Sequence, residues 1–137
     1  MNCRTFNRLV EISKALKPLK SSGRAFHVTG AVKKGRIVCI GINNYHRHHK
    51  SHVYGRYYNY KFTNEYRASL HSEISLLTKL GEEDLSDYEI CNVRIGNDGK
   101  IRMSKPCKNC LRVLTEQFTP KNVFYSNDSG EMEKLDN

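Results

Sequence analysis

His71-Ser72-Glu73-Ile74-Ser75-Leu76-Leu77 and, further along, Pro106-Cys107-Lys108-Asn109-Cys110 are the stretches around which this 137-residue chain is organised. Near the first, Leu70, Ile74, Leu77 and Leu80 recur at helical spacing, and Gly81 stands where a C-terminal cap belongs. His71 and Glu73 are therefore expected in the first turn of a helix. Pro106 suits the start of a second helix, because its missing N–H is one of the donors that a helix start leaves unpaired anyway. Cys107 and Cys110, three residues apart, then share one face. Leu111, Val113, Leu114 and Phe118 continue that helix and give it an apolar side. The positive end of its dipole is expected to lower the thiol pKa values.

One imidazole and two thiolates form a donor set that Zn²⁺ accepts, and a catalytic zinc keeps its fourth position for water. His71, Cys107 and Cys110 are thus the expected ligands and Zn²⁺ the expected cofactor. Water on such a metal ionises near neutral pH, yet protons must still be carried between the reacting groups. Glu73, two residues from His71, is placed for that shuttle. Taken alone, a C-x-x-C pair is equally compatible with redox chemistry or half of a structural zinc site. A four-ligand structural zinc would need one more Cys or His, and Cys3, Cys39 and Cys91 show no paired spacing. Those three read as ordinary thiols.

The length fits one domain over residues 1–137, large enough for a single core. No apolar run approaches a membrane span, and the first 23 residues lack the continuous apolar region of a signal peptide. A soluble, cytoplasmic protein without a membrane partner is expected. Five cysteines, an odd number without a disulfide-like framework, agree with a reducing compartment. The net charge is +9, unevenly placed: residues 1–80 carry 15 Lys and Arg against 3 acids, residues 81–137 carry 8 against 11. Such asymmetry points to a polyanionic partner or a phosphorylated substrate.

Phe6, Leu9, Val10, Ser13 and Leu16 stripe a first helix that Pro18 should stop. Residues 25–32 and 37–42 read as a hairpin turning at Lys33-Lys34-Gly35-Arg36. Residues 88–95 form a third strand, which residues 101–103 are expected to extend after the turn Asn97-Asp98-Gly99. Residues 122–126 make a fourth strand. The short turn at residues 127–130 requires the fifth, at 131–135, to return antiparallel, since a parallel return needs a crossover of a dozen or more residues. Strands interleaved with helices in this order favour an α/β fold: a three-layer α/β/α sandwich around a mixed five-stranded sheet.

His71-Ser72-Glu73 with Pro106-Cys107-Lys108-Asn109-Cys110 matches the H-x-E and P-C-x-x-C signature of zinc nucleobase deaminases. Together with Gly30-Ala31-Val32, the Gly35 turn and Gly41-Ile42-Asn43, these residues resemble the cytidine deaminase-like superfamily over about residues 25–126. That superfamily includes cytidine, deoxycytidylate, cytosine and transfer-RNA adenosine deaminases. The resemblance implies that His71, Cys107 and Cys110 hold zinc and that Glu73 moves protons during attack on the amino-bearing carbon. It further implies that Asn43 contacts the sugar or base and that Ser72 meets the substrate through its backbone N–H. A turn role for Asn43 is the alternative. The His ligand resembles deoxycytidylate and nucleic-acid deaminases, whereas Cys110-Leu111-Arg112-Val113-Leu114-Thr115-Glu116 and the antiparallel last strand look more like the cytidine branch.

Between Asn43 and Arg67 lies an insertion holding six of the eight tyrosines among several basic residues. Arg47, Lys50, Arg56, Tyr57 and Lys61 are its candidate phosphate or nucleic-acid contacts, because basic groups neutralise phosphates and rings stack on bases. A Tyr-rich loop packed on the sheet or at a subunit interface is the alternative reading. His46, His48, His49 and His52 invite a second metal, but a loop sequence fixes no ligand geometry. A free nucleoside or nucleotide, with cytosine converted to uracil, is the leading substrate expectation. Single-stranded DNA or RNA bearing cytosine or adenine is the alternative, and a catalytically silent zinc-containing nucleic-acid-binding relative is the third. A homo-oligomer is expected from the resemblance alone.

Overall fold

A computed structural model of the protein describes residues 1–20, 26–47, 69–81 and 84–136. Helix α1 (Cys3–Lys20) buries Phe6, Leu9 and Val10, as their helical spacing requires. It does not stop at Pro18 but continues through it to Lys20. Each fully buried side chain of that stripe contributes roughly 1.5–3 kcal/mol, together more than the roughly 3 kcal/mol an internal proline costs. A proline so close to the helix end also interrupts little of the hydrogen-bond ladder.

The expected hairpin forms from β1 (Phe26–Lys33) and β2 (Arg36–Ile42). Lys34 and Gly35 turn it with φ of 52° and 76°, the two left-handed residues that a type I′ turn needs. The pairing slips where Ala31 faces Cys39 but Val32 faces Ile37, so Val38 is an extra, outward-facing residue on this edge strand. Two strands absent from the sequence reading follow. Strands β3 (Asn44–Arg47) and β4 (Ser69–Leu70) pair antiparallel as a small separate sheet. Lys50, Arg56, Tyr57 and Lys61 lie outside the described residues, as do His48, His49 and His52.

Helix α2 (Ser72–Leu80) comes next, then β5 (Glu89–Ile95) antiparallel to β1. Strand β6 (Ile101–Arg102) does not extend β5 as expected. It folds back antiparallel, pairing Arg94 with Arg102 and Ile95 with Ile101, because the turn at Asn97-Asp98-Gly99 reverses the chain within a few residues. Helix α3 (Lys108–Arg112) starts two residues later than Pro106 and continues as a π-helical stretch, Val113–Phe118. Strand β7 (Asn122–Ser126) lies parallel to β5, and β8 (Met132–Lys134) returns antiparallel to β7.

The main sheet therefore runs β2-β1-β5-β7-β8, the mixed five-strand order, with β6 added beside β5. Alternation along the strands divides the core between its faces. Phe26, Val28, Cys91, Val93, Ile95 and Phe124 pack with α1 on one side. Ala31, Ile90 and Val123 pack with Ile74, Leu76 and Leu77 of α2 and with Cys110, Val113 and Leu114 on the other. Helices thus cover both faces, the three-layer α/β/α arrangement. Among the described residues no helix is long and apolar enough to cross a membrane.

One contact sets the position of α2. A Cβ built on Gly41 of β2 would overlap the Leu76 amide nitrogen and the Ser72 carbonyl oxygen, and would stand 2.8 Å from Leu76 Cα. Helix backbone lies directly against strand backbone here, at a depth no other residue at position 41 allows. Gly41→Val is expected to destabilise the protein by at least the roughly 1–3 kcal/mol typical of overpacking. Denaturant midpoints measure this, and an unchanged midpoint would contradict the contact.

Candidate metal and catalytic site

His71 caps α2 from an extended conformation, φ −75° and ψ 154°, and its carbonyl accepts the Ser75 amide at 2.9 Å. It therefore stands just before the helix and not within its first turn. Glu73 is the first-turn acid. Cys107 holds the equivalent place before α3, its carbonyl accepting from the Leu111 amide at 2.8 Å. Both helices direct their N-terminal ends to one point, and the two cysteines meet His71 there.

Cys107 Sγ lies 3.5 Å and Cys110 Sγ 3.4 Å from His71 Nδ1, and the three donor atoms fall within 4.8 Å of one another. This group can hold a metal ion. Tetrahedral zinc at ordinary bond lengths separates a nitrogen from a sulfur ligand by about 3.6 Å, so the donors fit that ion. Their electrostatics agree. The Cys107 thiol is lowered to about 4, first by its hydrogen bond with Cys110 and then by His71 and the Cys110 amide. Cys110, fully enclosed, is raised by Cys107, by burial and by Glu73. Two thiols and a carboxyl crowd one buried space, so a divalent cation would offset their mutual repulsion.

Glu73 forms the floor, only 6% exposed. Asn92 Nδ2 donates to its Oε2 at 2.9 Å and Ser72 Oγ to its Oε1 at 3.1 Å. Asn92 is itself fixed: it donates to the Ser104 carbonyl at 3.1 Å, and its Oδ1 pairs with Thr29 Oγ1 at 2.6 Å. Thr29 Oγ1 also lies 2.7 Å from Ser72 Oγ, closing the network. A hydrogen bond to a charged group contributes about 1.5–3 kcal/mol, whereas burying a carboxylate costs several kcal/mol. Burial wins, and the Glu73 pKa is raised. A buried carboxyl with a raised pKa holds its proton more readily than an exposed one.

Asn43 closes the hairpin. Its amide donates to the His27 carbonyl at 3.2 Å, and its carboxamide oxygen accepts the His27 amide at 2.9 Å. Arg47 belongs to β3, as does His46. The sequence reading did not single out Thr29, Asn92, Ser104, His27 or Arg94. Thr29 and Asn92 carried a signal nonetheless, since a polar residue inside an otherwise apolar strand needs a buried partner. Burial, ahead of Arg94 and His71, lowers the His27 pKa to about 4. A cavity of about 410 Å³ beside Thr115, Thr119 and Lys134 is lined by none of the metal donors and not by Glu73.

The sequence matches no family model and no curated protein. Solved structures do match the fold. A cytidine deaminase from Burkholderia pseudomallei is 16% identical with a TM-score of 0.60, over 98% of this chain and 92% of that one. A dCMP deaminase from cyanophage S-TIM5, in complex with dCMP and dUMP, is 15% identical with a TM-score of 0.55, over 93% and 84%. A cytidine deaminase from Mycobacterium leprae is 18% identical with a TM-score of 0.54, over 94% and 92%. The chain has the cytidine deaminase-like fold.

Replacing the buried acid isolates its cost. Since the folded-state pKa of Glu73 is raised, the unfolded chain ionises first, so wild-type stability is full below pH 4.5 and is lost as pH rises through the raised value. Metal-free Glu73→Gln is expected to match the wild type in acid and to exceed it increasingly towards neutral pH. Denaturant midpoints measured across that range check this, and parallel curves would contradict it.

Proposed function

We propose that this chain is a single zinc-dependent hydrolytic deaminase domain that converts cytosine to uracil in a free nucleoside or nucleotide. The observation that carries the reading is a buried glutamate beside three convergent metal donors. A purely structural metal site has no use for such a carboxylate, and burying it is costly. His71, Cys107 and Cys110 are the residues that would hold the ion. Zinc bound there supplies Lewis acidity that makes water nucleophilic near neutral pH.

Glu73 carries the protons. Its Oε atoms accept one proton from the attacking water and pass it to the ring nitrogen next to the amino-bearing carbon, where it stays, then take the second from the added hydroxyl and give it to the departing amine. A C–O bond forms, the exocyclic C–N bond breaks, water is consumed and ammonia leaves. Asn92 and Ser72 hold the carboxyl by both oxygens, so it pivots little between these tasks. The Ser72 hydroxyl is engaged in that network. Its backbone N–H, in the first turn of α2 where intrahelical acceptors are lacking, is the substrate contact. Asn43, fixed at the end of the hairpin, meets the sugar or base.

Glu73→Ala is expected to retain one zinc and the fold while losing ammonia release by at least about a hundredfold. Cys107→Ala is expected to lose the metal. Metal analysis and ammonia assays on cytosine and adenine nucleosides, nucleotides and oligonucleotides test both variants. Continued turnover by Glu73→Ala would remove the proton-shuttle role. A steep loss of activity with salt would point instead to a polymer that contacts several phosphates.

A further inference from the structure

Arg94 stands on β5 two residues beyond Asn92, and alternation puts both side chains on the sheet face that carries the site. Its register partners are His27 on β1 and Arg102 on β6. Residues directly opposed across antiparallel strands have Cβ atoms about 4.5–5.5 Å apart, so the three form a row across the sheet. One end of that row reaches the metal donors, because His27 feels the charges of both His71 and Cys107. The other opens into a pocket of about 350 Å³ lined by Arg94, Gly96, Asn97, Asp98, Arg102 and Asp128.

The polar groups of this pocket are not equally occupied. Arg102 is paired with Asp98, which also accepts the Lys100 amide. Asp128 accepts the Met103 amide at 3.0 Å. Arg94 has no carboxylate partner among the described residues, and its Nε is buried without an acceptor. A guanidinium N–H shut away from water and left unpaired is the group that a ligand oxygen would satisfy. The planar fork of arginine matches a phosphate in two parallel hydrogen bonds.

We propose that Arg94 binds the phosphate of a nucleoside 5′-monophosphate whose base lies at Glu73, making this chain selective for the nucleotide over the bare nucleoside. The proposal rests on the deaminase reading. Two residues of strand separate Arg94 from Asn92, roughly 6.5 Å, and the arginine side chain adds its own length. Asn92 in turn holds the Glu73 carboxyl, so Arg94 stands one strand repeat from the residue that positions the acid. Asp98 and Asp128 are exposed and line the same pocket, which limits the negative charge it accepts and favours a single phosphate over a polymer.

Zinc-loaded wild type, R94Q and R94K are compared on deoxycytidine, its 5′-monophosphate and a short cytosine-containing single strand. The wild type is expected to prefer the monophosphate. R94Q is expected to lower the monophosphate-to-nucleoside ratio of kcat/KM by about 10–100-fold, chiefly through KM, and R94K to keep part of it. Equal losses on both substrates, an unchanged ratio, or preference for the strand would overturn the assignment. Calorimetric binding of the monophosphate and the nucleoside separates this from the deaminase reading. If no substrate is turned over, that reading fails by itself, while tighter monophosphate binding that R94Q abolishes still supports the phosphate contact. Equal binding of the two ligands, or monophosphate binding untouched in R94Q, refutes it. Thermal midpoints and zinc content confirm that the variants are folded.

Discussion

A helix can lie flat on a strand only where the strand presents no side chain, and Gly41 supplies that bare place. Everything chemical about the site depends on the resulting depth of α2. With the Ser72 carbonyl and the Leu76 amide against β2, Ser72 reaches Thr29 and Glu73 reaches Asn92. His71, immediately before the helix, is thereby held where the cysteines at the start of α3 can meet it. A bulkier residue at position 41 would lift the acid from its donors and the imidazole from the thiols together.

The same close packing creates an electrostatic problem and its remedy. Glu73 and Cys110 are buried, Cys107 is inclined to ionise through its bond with Cys110, and its charge in turn discourages charge on Glu73 and Cys110. Hydrogen bonds from Asn92 and Ser72 offset part of the carboxylate cost, and the two helix N-termini add partial positive charge. Neither is sufficient, because the Glu73 pKa remains raised. A cation held by His71, Cys107 and Cys110 would supply the remaining compensation. The raised pKa values of Glu73 and Cys110 share one physical origin, their burial beside Cys107.

The periphery is arranged around that centre. Strands β3 and β4 bring Asn44 beside Leu70, the residue before His71. Reversal at Asn97-Asp98-Gly99 brings Arg102 opposite Arg94 and opens a polar pocket at the end of β5. Strand β5 thus carries on one face both Asn92, which holds the buried acid, and Arg94, whose Nε is buried without an acceptor.

The helix periodicity around Ile74 and Leu77, the turn at Lys34-Gly35 and the alternation in the strands were legible because each is a local pattern. The H-x-E and P-C-x-x-C spacings likewise singled out His71, Cys107 and Cys110, which the structure brings together, and Glu73, which it buries. Boundaries were less legible: α1 passed Pro18 because tertiary burial outweighed a local penalty, and residues 101–102 turned back because a short turn dictated a hairpin. Thr29, Asn92 and Arg94 went unrecognised since their partners stand 43, 19 and 8 positions away, in Ser72, Glu73 and Arg102. The sequence by itself determined which side chains can bind metal and carry protons. Only the tertiary structure decided which of them converge on one point and that the Nε of Arg94 is buried without an acceptor, because pairing across a sheet depends on register and not on distance along the chain.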